Sequence, residues 1–534
     1  MVSMSVEFPC ESAPSTVVKG LNSGDRGHNM LVQPECPRYR PLRAHMQVTI
    51  TIAVVMATLF AAGRDVPPGR PPKHLRKFHS AAVESMLANY TARMPDKNLS
   101  TLFTNCFPNT LDTTVMEASA NESFIITGDI PAMWLRDSTN QVLPYIPLML
   151  KDAALQSMIR GVVMRQLRSV LIDSYANSYN KSPRSPDAGE HQSDCRLPPM
   201  NLRLFEGKYE LDSLCAVLKL TYHYVNTSGD TELLTTEHHL FLRAVDVILT
   251  TMENQSMSTE MQAGNVPYRF YRVDAPWEID AYPNRPVADT GLIRSAFRPS
   301  DDQTLYDFLV PSNAMAHVEL GHVIELLEML VHSAGEGGEL PPSVEGAPHP
   351  VQLVARAHEK REFVLGGLRA YAIHCEPHRP TPSSCRFAYE VDGFNHSNLM
   401  DDPNVPGLLS LPYLGFRHLP DIVLATRDWV LSNRNPYYYC GSLGCGLGSP
   451  HTLPGYIWPM GLIVEAFTSH DATHVKSLLH LLVESGLYNG FMRESFNPND
   501  AMLPGSRPWF AWANTMFGAL IVNIGERFPQ LIFG

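Results

Sequence analysis

The chain has 534 residues, of which 44% are hydrophobic and 18% are charged, and its formal net charge at pH 7 is -12. This composition indicates a soluble globular chain with a large core. The acidic balance, without a basic stripe interleaved with aromatic residues, argues against nucleic acid as a ligand. A neutral ligand is therefore favoured.

The first 75 residues differ in composition from the rest. Residues 1–45 contain scattered Ser, Gly, Pro and Arg without a period, which predicts a disordered tail. Within residues 46–63, the apolar run 48–62 is short for a membrane span of about 20 residues but fits a signal-peptide core of about 7 to 15. We expect a signal peptide, a signal anchor that holds the chain on a membrane, or a true start downstream of residue 1. Residues 64–75 are expected to be a linker before one large domain, 76–534.

Two features favour passage through the secretory pathway. Cys375 and Cys385, and likewise Cys440 and Cys445, are near enough in sequence to form disulfides in an oxidising lumen, with free buried thiols as the alternative. We expect a secreted or a membrane-anchored lumenal protein, with the Golgi and the vacuole as candidate compartments. Seven Asn-x-Ser/Thr sequons agree with this expectation: Asn89, Asn98, Asn121, Asn180, Asn226, Asn254 and Asn395.

Beyond residue 76 the dominant hydrophobic period is helical, and very little of the chain alternates as a strand does. Several helices are apolar on more than one face, which indicates burial between neighbouring helices. The sequence contains no repeat of about 34 residues, which an open array of helices would show. We therefore expect an all-α fold closed into a toroid. The predicted helices cover 138–172, 211–225, 235–253, 311–333, 351–373, 419–431, 457–469, 472–485 and 509–524.

Five segments between these helices combine aromatic rings with charged groups. In the first, 127–138, the side chains of Trp134, Arg136 and Asp137 suit a carbohydrate subsite, because a pyranose offers hydroxyls to charged partners and a flat C–H face to a ring. The alternative is a buried ion pair that caps a helix at Asp137. Since functional residues concentrate on loops, we expect these segments to meet at one mouth of the toroid.

The second segment, 205–213, carries Lys208 and Glu210 ahead of an apolar helix, and Asp212 is expected to be the N-cap of that helix. The third, 297–306, carries Arg298 and the adjacent pair Asp301 and Asp302. Adjacent carboxylates can repel, which would raise the pKa of one of them toward the range of a general acid. Capping of a turn is the alternative.

The fourth segment, 394–404, contains Asn398 and Asp402 and has the side chains of a calcium loop, but its spacing misses the EF-hand pattern. We interpret it as hydroxyl-binding or structural. No ligand spacing typical of zinc occurs, and we expect neither a metal nor another cofactor.

The fifth segment places Glu494 ahead of Arg507 and the cluster Trp509 to Trp512. A carboxylate beside aromatic rings is what a glycosidase needs at its second catalytic position, although either Trp could instead be core. Trp458, after a Gly-rich turn, adds a further aromatic ring to the same set.

Together these blocks resemble glycoside hydrolase family 125, the metal-independent exo-α-1,6-mannosidases, from about Phe78 to the C-terminus. The resemblance implies an (α/α)6 toroid over the catalytic domain 76–534, which removes terminal α-1,6-linked mannose with inversion. The blocks that carry the resemblance are 129–138 (DIPAMWLRDS), 208–213 (KYELDS), 297–302 (FRPSDD), 399–406 (LMDDPNVP), 449–459 (SPHTLPGYIWP) and 507–514 (RPWFAWAN).

Carried over residue by residue, the general base falls on Glu494 and the general acid on Asp301 or Asp302. Analogy with other toroidal glycosidases favours Asp301. The family usually has His before the Glu-Ser-Phe triplet, whereas this chain has Arg493, and a cation there would favour ionised Glu494. The segment 335–350 falls outside the family pattern, as do the first 75 residues.

The resemblance thus predicts an oligosaccharide, N-glycan or mannan substrate and two carboxyl groups about 6.5–9.5 Å apart, as inversion requires. Alternatives are another inverting toroidal exo-glycosidase of the glucoamylase or trehalase kind, and a catalytically dead glycan-binding relative. The expected substrate-binding residues, among which Arg136, Asp137 and Asp402 would hold the terminal mannose, are Trp134, Arg136, Asp137, Lys208, Glu210, Arg298, Asn398, Asp402, Trp458, Arg507 and Trp509.

Overall fold

The computed structural model describes residues 65–185, 194–272, 281–283, 285–335, 348–376, 381 and 384–534. The predicted tail 1–45 and the predicted signal peptide or anchor 46–63 lie outside the described residues. Asp65–Gly534 forms one compact unit.

Most of the regular structure in the described residues is helical. The helices are α1 Ala81–Thr91, α2 Lys97–Cys106, α3 Asn109–Thr113, α4 Leu135–Val142, α5 Ile146–Met149, α6 Ala153–Ile172, α7 Leu211–Ser228, α8 Thr236–Ser256, α9 Thr259–Gln262, α10 Val310–Gly335, α11 Pro350–Tyr371, α12 Pro420–Val430, α13 Pro459–Thr468, α14 Ala472–Gly486, α15 Ala511–Arg527 and α16 Pro529–Phe533, with 3-10 turns at Lys73–Leu75, Leu143–Tyr145 and Thr231–Leu234.

The predicted long helix 138–172 is wrong as a single element. It divides into α4, a 3-10 turn, α5 and α6. Pro144 and Pro147 lack the N–H groups that a continuous helix needs, and the Asp152 carboxylate accepts the N–H groups of Ala154 and Leu155, which starts α6 afresh.

Contacts between helices define an inner set and an outer set that packs against it. Among the inner helices, α4 packs against α7, α7 against α10, α13 against α15, and α15 returns to α4. Outside them, α6 and α8 pack together, α11 packs against α8 and α10, and α14 packs against α13. The apolar faces of these helices join one main core, as hairpin layers around a ring require. The predicted all-α toroid is confirmed.

The strands are short and belong to the connections. Those of the β3–β4–β6 sheet and the β9–β12–β13 sheet hold loops at the end of the toroid where the candidate site lies. The strands are β1 Val115–Glu117, β2 Phe124–Ile125, β3 Met133–Trp134, β4 Ser178–Tyr179, β5 Asp194–Leu197, β6 Leu204–Glu206, β7 Arg269–Arg272, β8 Ala281–Tyr282, β9 Phe308–Leu309, β10 Ile373–Cys375, β11 Cys385–Phe387, β12 Glu390–Val391, β13 Ser397–Asn398, β14 Tyr438–Cys440 and β15 Cys445–Leu447.

The segment predicted as the linker 64–75 packs on the domain from Asp65 onward. Val66 is buried, and the Arg70 guanidinium bonds Glu84 and Asp112. The compact unit therefore begins about eleven residues before the predicted boundary at 76.

Both predicted cysteine pairs, Cys375–Cys385 and Cys440–Cys445, are disulfides, and each closes a two-stranded hairpin. Of the seven sequons, Asn180 is buried, and its side-chain amide donates to the carbonyls of Leu202 and Leu204. That amide is not accessible to a glycosylating enzyme in the folded chain. None of the helices in the described ranges combines the length and the apolar character that crossing a bilayer requires.

Candidate active site

A partly enclosed pocket of about 510 Å3 lies where inner helices begin, at one end of the toroid. Its wall contains seven of the residues that the sequence singled out: Trp134, Arg136, Asp137, Asp301, Trp458, Glu494 and Arg507. The pocket is thus built from four of the five predicted segments, with the second segment directly beneath it.

Side chains that serve the pocket occupy the N-cap positions of four inner helices. Trp134 precedes α4, Glu210 precedes α7, Trp458 precedes α13 and Phe510 precedes α15, and none of the four makes a side-chain cap hydrogen bond. Ser, Thr, Asp or Asn is preferred at this position, and replacing one by a non-capping residue costs about 1 kcal/mol. These four helices thus lack the stabilising N-cap hydrogen bond, and the N-cap residues instead place their side chains at the pocket.

Arg136, in the first turn of α4, is the buried cation at the floor. Its Nη1 lies 2.5 Å from Glu210 Oε2 and 3.0 Å from Asp212 Oδ2, while its Nε is 3.7 Å from Asp137 Oδ2. The prediction that Asp212 caps α7 is wrong, since Asp212 lies inside the helix and accepts from Arg136 instead. The alternative interpretation of the first segment, a buried ion pair at Asp137, also holds: Asp137 pairs with Arg136, and both residues line the pocket.

Asn177 connects three carboxylates beneath the floor. Its single side-chain nitrogen lies 3.1 Å from Asp301 Oδ1 and 3.2 Å from oxygens of Glu206 and of Glu210. One NH2 group has two hydrogens for these three acceptors. Carboxylates crowded in this way disfavour one another's ionised form, which favours a proton held within the cluster.

Glu210 and Asp301 share that proton. Burial raises the pKa of Glu210 well above its usual range, and Asp301 raises it further through its charge and a hydrogen bond. Burial acts in the same direction on Asp301, but Lys208, Arg136 and the hydrogen bond from Glu210 outweigh it and lower the pKa of Asp301 to about 2. These opposite shifts favour the protonated form of Glu210 and the ionised form of Asp301. The expectation that repulsion within the doublet raises the pKa is wrong for Asp301.

The second member of the doublet, Asp302, is bonded to a histidine. His451 Nδ1 lies 2.8 Å from Asp302 Oδ1. Partial burial lowers the pKa of His451, but the hydrogen bond to Asp302 and the charges of Asp302, Glu494 and Asp301 outweigh burial and raise it to about 9. At neutral pH the imidazole is thus a cation paired with Asp302, which leaves Asp301 as the carboxyl of the doublet that lines the pocket.

Glu494 stands on another part of the wall with one adjacent cation. Its Oε1 is 3.9 Å from Arg507 Nη1, and its backbone N–H donates to the Arg507 carbonyl at 3.2 Å. Burial raises the pKa of Glu494. The charge of Arg507, a hydrogen bond from Ser506 and the charge of His451 each oppose this rise. Arg507 is held by Asp129 at 2.7 Å and by Thr127 at 2.9 Å.

Two residues of the pocket have backbone conformations in the left-handed region, Asp301 with φ 67° and Arg507 with φ 34°. Such conformations cost of order 1–3 kcal/mol for residues with a side chain and concentrate at functional sites. The fold keeps them because Asp301 is tied to Asn177 and Arg507 to Asp129.

Arg493 does not influence Glu494 as the sequence predicted. Its guanidinium donates to the backbone carbonyls of Leu503, Ala501 and Ser485 and faces away from the pocket wall. Arg507 is the cation beside Glu494 instead. Arg493 therefore fixes the loop that leads to Arg507.

Aromatic rings complete the wall, and several buried donors there lack partners. In the part of the chain that the structure describes, Trp134 Nε1, Trp512 Nε1 and Arg136 Nε have no hydrogen-bond partner. An unmade bond at a buried donor costs about 1–3 kcal/mol. A ligand with many hydroxyl acceptors would complement such a wall.

Seven predicted residues do not line this pocket. Lys208 and Glu210 lie beneath it, and Asp402 accepts the side chain of Asn404, which does line it. Trp509 offers the pocket segment only its backbone carbonyl, which accepts from the N–H of Asp129. Arg298 and Asn398 line a second cavity, and Asp302 reaches the site through His451.

Sequence reasoning did not single out several residues of the site. His451 and Trp512 lay inside quoted blocks, so their motifs contained the signal. Asn177 lies between α6 and β4 without a motif, and only the fold brings it beside Asp301. The other lining residues not singled out are Thr127, Ile130, Pro299, Ser300, Asn404 and Phe510. Among the residues that the structure describes, no three or more His, Cys, Asp or Glu side chains form a group able to hold a metal ion.

A toroid of helical hairpins with a carboxyl that shares a proton and a separate buried carboxylate in one aromatic pocket defines a class of protein, the toroidal glycoside hydrolases. The sequence profile of the metal-independent α-mannosidase family, GH125, matches residues 96–522.

Two relatives cover most of the chain. The meiotically up-regulated gene 157 protein of Schizosaccharomyces pombe is 37% identical over 484 residues, which is 88% of this chain and 90% of the relative. A metal-independent α-mannosidase from Streptococcus pneumoniae, solved as a non-productive complex with α-1,6-mannobiose, has a TM-score of 0.73 and 37% identity, covering 84% of this chain and 99% of its own. The chain belongs to the GH125 family of metal-independent α-mannosidases.

Proposed function

We propose that this chain is an inverting exo-α-1,6-mannosidase in which Asp301 is the general acid and Glu494 the general base. The observation that carries the proposal is that both carboxyls line one pocket of a GH125 α-mannosidase fold. The S. pneumoniae relative was crystallised with α-1,6-mannobiose, which supports the linkage. Asp302 is the weaker candidate for the acid, since His451 occupies its carboxylate.

The acid step uses the proton shared by Glu210 and Asp301. When a glycosidic oxygen lies against Asp301, Glu210 passes the shared proton to Asp301 through their hydrogen bond, and Asp301 donates it to the oxygen of the departing sugar. Arg136 then compensates the negative charge left on the pair. The buried carboxyl pair thus acts as a proton store at neutral pH.

The base step uses Glu494. A carboxylate with a raised pKa is a stronger base than an exposed one, and the charge of Arg507 favours its ionised form. Glu494 removes a proton from a water that attacks the anomeric carbon on the face opposite the leaving oxygen. The configuration at the anomeric carbon inverts, and β-mannose is released.

The terminal mannose would be held by groups around the floor. Asp137 and Asn404 offer acceptors and a donor for hydroxyls, and the unpaired donors Trp134 Nε1 and Trp512 Nε1 offer two more. The rings supply a flat apolar surface for C–H groups.

The proposal is tested by incubating the full-length chain with α-1,2-, α-1,3- and α-1,6-mannobiose in EDTA and following the released anomer by proton NMR. We expect β-mannose from the 1,6 isomer. Initial release of α-mannose would contradict inversion, and turnover of a glucose disaccharide in place of all mannobioses would favour a glucoamylase-like activity.

We also propose that the chain matures in the secretory pathway. The two disulfides and the exposed sequons at Asn89, Asn121, Asn226 and Asn395 support this. Treatment of the cellular protein with an endoglycosidase should lower its mass, and an unchanged mass together with free thiols would contradict this location.

A further inference from the structure

A second cavity, enclosing about 1010 Å3, lies beside the active-site pocket. Two separate segments line both cavities. One contributes Asp301 to the pocket and Gln303 to the second cavity, and the other contributes Asn404 to the pocket and Asn398 to the second cavity. Because the same two segments form walls of both spaces, the cavities are neighbours across a thin partition.

One buried carboxylate fixes much of the wall of the second cavity. Glu390 is fully buried and accepts Arg298 Nε at 2.7 Å, Asn398 Nδ2 at 2.9 Å and the backbone N–H of Leu305 at 3.1 Å. These three residues, from two different segments, are therefore held in place before any ligand arrives. Such preorganisation lowers the entropy cost of binding.

The lining of this cavity combines hydrogen-bond donors with an apolar surface. Within the described residues, the two terminal nitrogens of Arg298 and the hydroxyl of Tyr437 have no hydrogen-bond partner, whereas Leu305 presents an apolar surface that is 40% exposed. The Arg298 charge is already balanced by Glu390. Arg285 adds a second guanidinium to the lining. Hydroxyl oxygens can accept from these donors, and the C–H groups of a sugar can lie against the apolar surface.

We propose that the second cavity binds neutral hexose units on the leaving-group side of the scissile bond. This inference rests on the proposed function. An acid at Asp301 places the first departing unit against the partition, because the glycosidic oxygen must reach that carboxyl. The continuing glycan then passes along Gln303 to Leu305, the residues that follow directly in the same segment and line the second cavity.

The test compares kcat/KM of the full-length chain on α-1,6-mannobiose and α-1,6-mannotetraose. Wild type is expected to prefer the tetrasaccharide about tenfold, as one or two additional hydrogen bonds to a charged group would give. Arg285→Ala and Tyr437→Ala, at the rim of the second cavity, should bring the ratio toward one while changing kcat/KM on mannobiose less than twofold. Arg417→Ala, an exposed arginine that lines neither cavity, is the matched control and should retain the preference.

Each other outcome is decisive. Equal kcat/KM for the two substrates in wild type, or an equal loss on both substrates in the two rim variants, overturns the second binding site while leaving the mannosidase proposal intact. A lack of turnover on both substrates in wild type overturns the proposed function, and the inference falls with it.

Discussion

The pocket regions around Asp301, the proposed acid, and Glu494, the proposed base, hold their carboxyls in opposite ways. Around Asp301, the carboxyls of Asp137, Glu206, Glu210 and Asp212 crowd together, and the cations Arg136, Lys208 and His451 face this group. Glu494, in contrast, has Arg507 close by, and the pairing of Arg507 with Asp129 holds that cation in place.

The difference corresponds to what each step needs. An excess of buried carboxyls favours a retained proton, which a general acid has to give away. A nearby guanidinium favours the ionised form of a single carboxylate, yet burial keeps the pKa of that carboxylate above the usual value, and this increases its basicity. The same residue type therefore receives two roles from its surroundings.

The largest expected effect comes from removing the base. Glu494→Gln should lower kcat on α-1,6-mannobiose by about 10²–10⁴-fold, because an amide cannot accept the proton of the attacking water. The thermal midpoint should stay within a few degrees of wild type, since the amide keeps the shape of the side chain. Glu484→Gln, on the outer helix α14, serves as the control and should retain activity. Activity of Glu494→Gln within a few-fold of wild type would remove this residue from the role.

Asp301→Asn should lose nearly as much activity, but only on substrates with a poor leaving group. An aryl α-mannoside whose phenolate leaves without protonation should restore much of the rate to Asp301→Asn and none to Glu494→Gln. Asp302→Asn is the matched comparison and should lose less than Asp301→Asn on mannobiose. The reverse order of the two aspartates would transfer the acid role to Asp302.

A smaller and more specific effect is expected from Glu210→Gln. In wild type the shared proton should persist to high pH, because the pKa of Glu210 is raised well above its usual range. Without Glu210 the pair has no group that retains a proton to high pH, because the pKa of Asp301 is about 2. The alkaline limb of the kcat profile should therefore move to lower pH, and kcat at pH 7 should fall about 10- to 100-fold. An unchanged alkaline limb with a lower plateau would indicate a purely structural role of Glu210.

The smallest effect concerns His451, whose pairing with Asp302 separates that carboxylate from Asp301. The folded-state pKa of about 9 is raised above the usual 6.5, so the stability gained from the ion pair is fully present below pH 6.5 and is lost as the pH rises through 9. The difference in thermal midpoint between wild type and His451→Gln should therefore be larger at pH 6 than at pH 9.5. A constant difference would show that the imidazole contributes through packing alone.

Motifs predicted most of the pocket because its residues fall in a few short blocks. Trp134, Arg136 and Asp137 are consecutive or nearly so on one helix start, and a short segment cannot separate them in space. The sequence could not separate the roles of Asp301 and Asp302, because they are adjacent residues of the same type in one motif. They differ only through partners far along the chain, Asn177 for one and His451 for the other.

The sequence by itself determined the helical class, the toroid and the family, since hydrophobic period and ordered motifs are local properties that survive without coordinates. Tertiary structure alone decided which carboxyl holds the proton and which cation faces Glu494. In the tertiary structure the Arg493 guanidinium bonds a backbone carbonyl of its own loop, and Arg507 is the cation next to Glu494. Tertiary structure also assigned Arg298 and Asn398 to a second cavity. The physical reason is that pKa values and cavity walls depend on burial and on distances between residues remote in sequence, which no local pattern contains.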